Sequence, residues 1–217
     1  MSDSLPALEN YQDAGYANRY RRLVETVKNL EQEKCPGHEQ LSLAVAKYAY
    51  KLMAYKDEYE VARLYCNDEF KNKLEQQFQG DYKLKFHLAP PLLSRKNDQG
   101  QAQKMTFPGW ALHAFRFLAR FRFLRGTALD PFGYTEERKT ERQLIVDYRQ
   151  TVSQLLETLD VSNYALALEI ITLPEIIRGY GHVKQANLEK ARSQKTVLMD
   201  RFLKPGKTRP RAIELAG

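Results

Sequence analysis

Apolar residues recur every three or four positions along most of the chain, the spacing of one face of an α-helix. Tyr16, Tyr20, Leu23, Val24, Val27 and Leu30 form the first such stripe. It predicts an amphipathic helix starting near Asn10 or Gln12 and ended by Cys35-Pro36-Gly37. Leu41, Val45, Tyr48, Leu52, Tyr55 and Tyr59 form a second stripe, predicting one long helix over about His38 to Tyr65. Asn67 or Asp68 suits the N-cap of a third helix running to about Phe78. Pro108-Gly109 opens another, Trp110 to Leu124, whose aromatics fall on more than one side and which Gly126 stops. Thr135 caps a long charged helix to about Leu159, with Leu144, Tyr148, Val152, Leu155 and Leu156 as its stripe. Asp160 or Ser162 caps an apolar helix over Tyr164 to Ile177, which Pro174 ends or kinks, and Val183 to Leu203 reads as the last helix.

One segment departs from this period. Tyr82, Leu84, Phe86 and Leu88 alternate with Lys83, Lys85 and His87, the period of a half-buried strand. Pro90-Pro91 removes two ladder donors, Asn97-Asp98-Gln99-Gly100 reads as a turn, and return pairing falls on Gln101 to Phe107. The expected fold class is therefore mostly α: a multi-helix bundle of about six to seven helices with one small β-hairpin inserted around residues 81–107. Residues 1–10 read as a flexible N-terminus and 11–203 as a single helical domain. Residues 204–217, with Lys204, Lys207, Arg209 and Arg211 among Pro and Gly, read as a basic flexible tail.

Composition narrows the function classes. The chain has 217 residues, 43% of them hydrophobic, with 13 Tyr, 10 Phe and 1 Trp, enough for a sizeable core. The net charge of +7 and pI near 9.3 come with 27 acidic residues, so the surface is mixed and nucleic acid is disfavoured as a partner. Two cysteines, Cys35 and Cys66, outside any CxxC, exclude a disulfide scaffold and an iron–sulfur module and fit a reducing cytoplasm. No run approaches the roughly 18 apolar residues of a membrane span, so no membrane is expected.

Chemistry-bearing residues cluster in few places. Arg178-Gly179-Tyr180-Gly181-His182-Val183-Lys184 puts Arg178, His182 and Lys184 beside two glycines at a helix start, where an anion or a partner's carboxylates could be met. It matches neither GxGxxG nor GxxxxGK[ST], and a tight interhelical turn with locally paired charges is the plainer reading. Lys83, Lys85 and His87 form a second candidate contact face. Phe115 to Arg125 interleaves rings with Arg116, Arg120, Arg122 and Arg125; on a helix such rings are expected mainly in a core. Tyr55 to Glu60 reads as a solvated face, with Lys56 and Glu60 spaced to pair. Cys35 and His38 lack companions at zinc-ligand spacing, so no metal site is expected. No GxSxG, HExxH or P-loop is present, so no catalytic residue is assigned, and a small enzymatic site around His182 is the weakest alternative.

Four segments together resemble a known family: Lys51 to Tyr65 (KLMAYKDEYEVARLY), Gly80 to Leu93 (GDYKLKFHLAPPLL), Leu124 to Tyr134 (LRGTALDPFGY) and Leu173 to Lys184 (LPEIIRGYGHVK). In this order they resemble the C-terminal region of the long single-chain bacterial indolepyruvate ferredoxin oxidoreductases, over about Tyr11 to Phe202. The resemblance implies a parent that decarboxylates aryl 2-oxoacids with thiamine diphosphate, magnesium, iron–sulfur clusters and coenzyme A. This chain has neither a Gly-Asp-Gly followed by a downstream Asn nor a four-cysteine run, so none of these cofactors is expected within it. The implied function is a non-catalytic accessory or docking domain supporting assembly or access of a partner or coenzyme A. Its implied partners are the catalytic domains of the same oxidoreductase and a ferredoxin; a homo-oligomer is a separate expectation that the resemblance does not supply. The alternative is a stand-alone basic helical protein that binds nucleic acid.

Overall fold

The structure is a computed structural model and describes residues 4–78, 80, 82–88 and 105–204. It is mostly α-helical with a small antiparallel pair of strands. In chain order the elements are α1 (Ser4–Tyr11), α2 (Ala14–Lys34), α3 (Gln40–Met53), α4 (Glu58–Cys66), α5 (Asp68–Gln77), β1 (Lys85–Leu88), β2 (Met105–Pro108), α6 (Ala111–Arg120), α7 (Glu136–Thr158), α8 (Tyr164–Thr172) and α9 (Gly181–Leu203). Short 3-10 turns, Phe121–Leu124 and Leu173–Ile176, follow α6 and α8. The chain forms two compact units, Met1–Arg22 with Ala49–Asp147, and Leu23–Tyr48 with Tyr148–Gly217.

One added helix and one break raise the helix number above six or seven among the described residues. The stretch expected to be flexible over residues 1–10 is helical from Ser4, because Leu8 and Tyr11 are both buried. The long helix expected over His38 to Tyr65 is interrupted between Met53 and Glu58. The carbonyls at its break are taken by tyrosines: Tyr16 donates to the Met53 carbonyl (2.9 Å) and Tyr11 to the Tyr55 carbonyl (2.8 Å). Asp57, in extended conformation, then accepts the Glu60 N–H (2.8 Å) and caps α4. Orphan groups at both new helix ends are thus satisfied inside the fold.

In the first unit α4 packs along α6, and the hairpin sits on both through rings. Tyr65 meets Phe70 at 5.3 Å, Phe86 at 5.0 Å and Phe115 at 5.8 Å between centroids, and Phe86 meets Phe115 at 5.2 Å. The strand is shorter than its alternating pattern. Phe86 pairs with Phe107 and His87 with Thr106, while Tyr82, Lys83 and Leu84 precede the ladder. The expected turn at Asn97 to Gly100, the Pro90-Pro91 pair and the tail from residue 205 lie outside the described residues.

In the second unit Val24, Val27, Val45, Leu155, Ile171 and Leu188 are among the most buried side chains. Burial of each is worth roughly 1.5–3 kcal/mol relative to exposure. Lys34, in the last turn of α2, donates to the Leu156 (2.5 Å) and Glu157 (3.1 Å) carbonyls near the end of α7, a cation where the helix leaves acceptors unpaired. Pro174 sits in the first turn of the 3-10 segment that ends α8, as its ring requires.

Candidate functional site

The Gly loop is a tight turn whose groups are mostly engaged locally. Gly179 (φ 93°) and Gly181 (φ 55°) occupy the left-handed region, and a Cβ on Gly179 would meet Val183 Cγ1 at 2.8 Å. Helix α9 begins at Gly181, two residues earlier than its apolar pattern indicates, which places His182 in its exposed first turn. Arg178 forms an ion pair with the Glu175 carboxylate, and its Nε donates to the Glu175 carbonyl (2.9 Å). Asn187 ties the turn down by donating to the Arg178 carbonyl (2.9 Å). Lys184 is half-buried, and Tyr180 stands exposed between the two glycines.

Lys83, Lys85 and His87 are exposed on the hairpin, where His87 Nδ1 lies 3.1 Å from Thr106 Oγ1. The hairpin residues belong to the first unit, and Arg178, His182 and Lys184 belong to the second. Each candidate group is therefore local to its own unit.

The densest polar constellation is one that pattern reading placed in solvent. Asp57 and Arg125 are both about 3% exposed. Arg125 Nη2 donates to Asp57 Oδ1 (2.9 Å), its Nε donates to Oδ2, and its Nη1 donates to the Tyr11 carbonyl. Its guanidinium lies 3.6 Å from the centroid of the Tyr11 ring. Burial, the largest single influence, lowers the Arg125 pKa; the hydrogen bond to Asp57, the Asp57 charge and the neighbouring Tyr11 and Tyr55 together outweigh it and hold the group above its ordinary value. Burial likewise pushes the Tyr11 hydroxyl up. Next to this pair, Tyr59 donates to Asp130 Oδ1 (3.1 Å), which also accepts the Phe132 N–H (3.1 Å), while Oδ2 accepts the Gly126 N–H (2.8 Å). Arg138 reaches Glu58 (3.3 Å) and pairs with Glu141. Glu60 pairs with Arg63 (2.7 Å), so the expected Lys56–Glu60 pair on a solvated face is not what forms. The sequence signal for this centre was Asp57-x-x-Glu60, a carboxylate cap followed three residues on by Glu.

The second unit has its own buried carboxylate. Glu31 is 1% exposed; its Oε1 accepts the Leu41 N–H (2.8 Å) and the Tyr164 hydroxyl (2.5 Å), and its Oε2 accepts the Ser42 N–H (2.9 Å). It thereby caps the N-terminus of α3 from α2. The Tyr164 pKa is pushed up to about 12 by burial and by the bond to Glu31.

A cleft of about 220 Å³ in the first unit is lined by Tyr65, Phe70, Leu74 and Leu112, with Cys66, Lys71 and Arg116 at its polar side. Cys66 Sγ donates to the Leu112 carbonyl (3.7 Å), and burial pushes its thiol up against the opposing effect of Arg116 and Lys71. Cys35 and Cys66 are both free. Among the described residues no group of three or more His, Cys, Asp or Glu is arranged to hold a metal, and no helix is long and apolar enough to cross a membrane.

The rings of α6 are not the core residues expected of them. Phe115 packs in the aromatic cluster, but Phe117 and Phe123 are exposed. Arg122 donates to the Asn10 carbonyl (2.6 Å) and Arg125 is the buried partner of Asp57, so the arginines of this segment have separate fates.

Neither a curated protein nor a solved structure matches the chain. A family model does match, over residues 1–196, and the chain belongs to that family, one of unknown function (DUF6537).

Proposed function

We propose that the chain is a non-catalytic accessory or docking domain of a thiamine-diphosphate-dependent indolepyruvate (2-oxoacid) ferredoxin oxidoreductase, supporting assembly or the access of a partner or coenzyme A. The reading starts from the four resembling segments, and one observation carries it further. In two of those segments the buried carboxylates are held inside the fold: Asp57 by Arg125, and Asp130 by Tyr59 and the backbone around it. Groups held this way are out of reach of a substrate, and they make the motif a folding centre. The exposed basic groups, Lys83, Lys85 and His87 on the hairpin and Arg178 and His182 at the Gly loop, are then contacts for an acidic surface such as that of a ferredoxin, or for the phosphates of coenzyme A. Thiamine diphosphate, magnesium and the iron–sulfur clusters stay with the parent's other domains; two free thiols fall short of a four-cysteine ligand set. A reducing cytoplasm is the setting that fits those thiols.

The test is a pull-down of the purified chain against the thiamine-binding and cluster-binding polypeptides of such an enzyme, followed by a salt titration. A complex that weakens as salt rises is expected. Absence of a complex at low ionic strength would refute the reading.

A further inference from the structure

Helix α6 carries an apolar stripe that stays exposed among the described residues. Trp110, just before it, is 66% exposed, Phe117 is 63% exposed, and Phe123 in the following 3-10 turn is 60% exposed. Trp110, Ala114, Phe117 and Phe121 are spaced to line one side of a helix. The Phe117 and Phe121 rings meet edge to face at 4.9 Å, and Phe121 lies 6.1 Å from Phe123, so the rings form one surface. Contiguous exposed apolar patches of this kind mark interaction sites. Beside the stripe, His113, Arg116 and Arg120 form an exposed row, each about one turn from the next. Arg116 and Arg120 form no ion pair among the described residues.

We propose that this face of α6 and the turn after it binds an acidic amphipathic helical segment of another protein. An aromatic stripe edged by guanidiniums is complementary to an apolar stripe edged by carboxylates, and arginine holds carboxylates through paired donors. Single-stranded nucleic acid fits less well. Two available guanidiniums would neutralise about two phosphates, a log–log salt slope of only about −1.4. The Phe117 and Phe121 rings also pack edge to face and are not separate flat platforms for bases. A second copy of the chain would bring the Arg116–Arg120 row near its own duplicate within a chain of net charge +7. The proposal does not depend on which parent enzyme the domain serves.

Trp110 is the single tryptophan, so its emission reports this face directly. The full chain is titrated with a synthetic amphipathic Leu/Glu helix peptide, its Gln-for-Glu and Lys-for-Glu counterparts, and an oligothymidylate at the same salt. The Glu peptide should shift Trp110 emission to the blue and shield it from acrylamide, with a Kd about tenfold or more below that of the Gln peptide. The Arg116→Gln/Arg120→Gln double variant should lose that preference, and Phe117→Ser should lose binding. These positions are exposed, and circular dichroism checks that each variant keeps its fold. Equal binding of the Glu and Gln peptides, an unaffected arginine double variant, or no response of Trp110 to any peptide would overturn the proposal. Tighter binding of oligothymidylate than of the Glu peptide would also overturn it and make the face a nucleic-acid surface.

Discussion

Asp57 and Glu31 are carboxylates with almost no exposure, one in each compact unit, and they are stabilised by opposite means. Asp57 is met by a full positive charge, the Arg125 guanidinium, on two oxygens. Glu31 is met by two backbone N–H groups and a tyrosine hydroxyl, with no cation in the set. The first arrangement neutralises charge with charge. The second uses the partial positive end of a helix and oriented dipoles. A buried ion pair depends on both members being present, because either alone is an uncompensated charge in a medium that solvates it poorly. A carboxylate held by dipoles loses less when it is neutralised, since its partners are not themselves ions.

The comparison is broken most sharply by Arg125→Leu. It strands Asp57, and it also frees the Tyr11 carbonyl that Arg125 Nη1 now occupies. A loss of about 3–5 kcal/mol is expected in urea unfolding. Because whole domains have only about 5–15 kcal/mol, the first unit should lose cooperativity near room temperature. Asp57→Asn/Arg125→Leu should cost clearly less than the two single losses added together. Additive losses would mean that the pair is not the unit of stabilisation.

Glu31→Gln is the matching experiment in the second unit and should cost about 1.5–3 kcal/mol. The amide can keep one acceptor but turns an N–H₂ toward an N–H donor of α3. The same centre has a signature in alkali. The Tyr164 pKa rises from its ordinary 10.0 to about 12, so the fold favours the protonated phenol. Between these values the unfolded chain holds fewer protons than the folded one, so stability must fall as pH rises. The contribution is complete below pH 10 and gone above about 12. Tyr164→Phe should make that part of the stability–pH curve less steep while lowering its plateau, the remaining fall belonging to other buried tyrosines such as Tyr55, also pushed up to about 12.

Gly133→Ala sharpens the picture on the Asp130 side of the first unit. A Cβ there would sit 2.7 Å from Asp130 Oδ2, the oxygen that accepts the Gly126 N–H. The expected cost is about 1–3 kcal/mol, since the clash forces either the loop or the carboxylate to shift. A cost near zero would show that the Asp130 loop adapts freely, unlike the Asp57 pair.

Most helices after α1 could be read from the sequence because they carry their own stripes, and the caps at Asn67 and Thr135 could be read because they are local. The break after Met53 could not. It is set by Tyr11 and Tyr16, far away in the chain, donating to carbonyls that would otherwise continue a helix. The burial of Asp57 escaped for the same reason, because its partner Arg125 lies 68 residues on among arginines of identical composition. Periodicity also misjudged the rings of α6, since it says which side a ring occupies and not whether anything covers that side. Of the candidate residues, the exposure of Lys83, Lys85 and His87 was legible from strand alternation, and the local pairing of Arg178, here with Glu175 three residues back, matches the plainer reading of the Gly loop as a tight turn.

Arg178 supplies the smallest expected effect and the clearest separation of stability from recognition. Its side chain is 67% exposed, and its partner Glu175 also lies 3.4 Å from Lys47 Nζ. Removing Arg178 therefore leaves no buried charge unpaired, and Glu175 keeps a cation. An exposed pair of this kind is worth about 0–1 kcal/mol, against several for the Asp57–Arg125 pair. Arg178→Ala should leave the urea midpoint nearly unchanged. If the Gly loop is a partner contact, the same variant should weaken the salt-sensitive complex with the parent polypeptides. A stable variant that binds as well as the original would remove Arg178 from the contact surface. A loss above about 2 kcal/mol would exceed what an exposed pair contributes and would place the loop among the structural centres, beside Glu31.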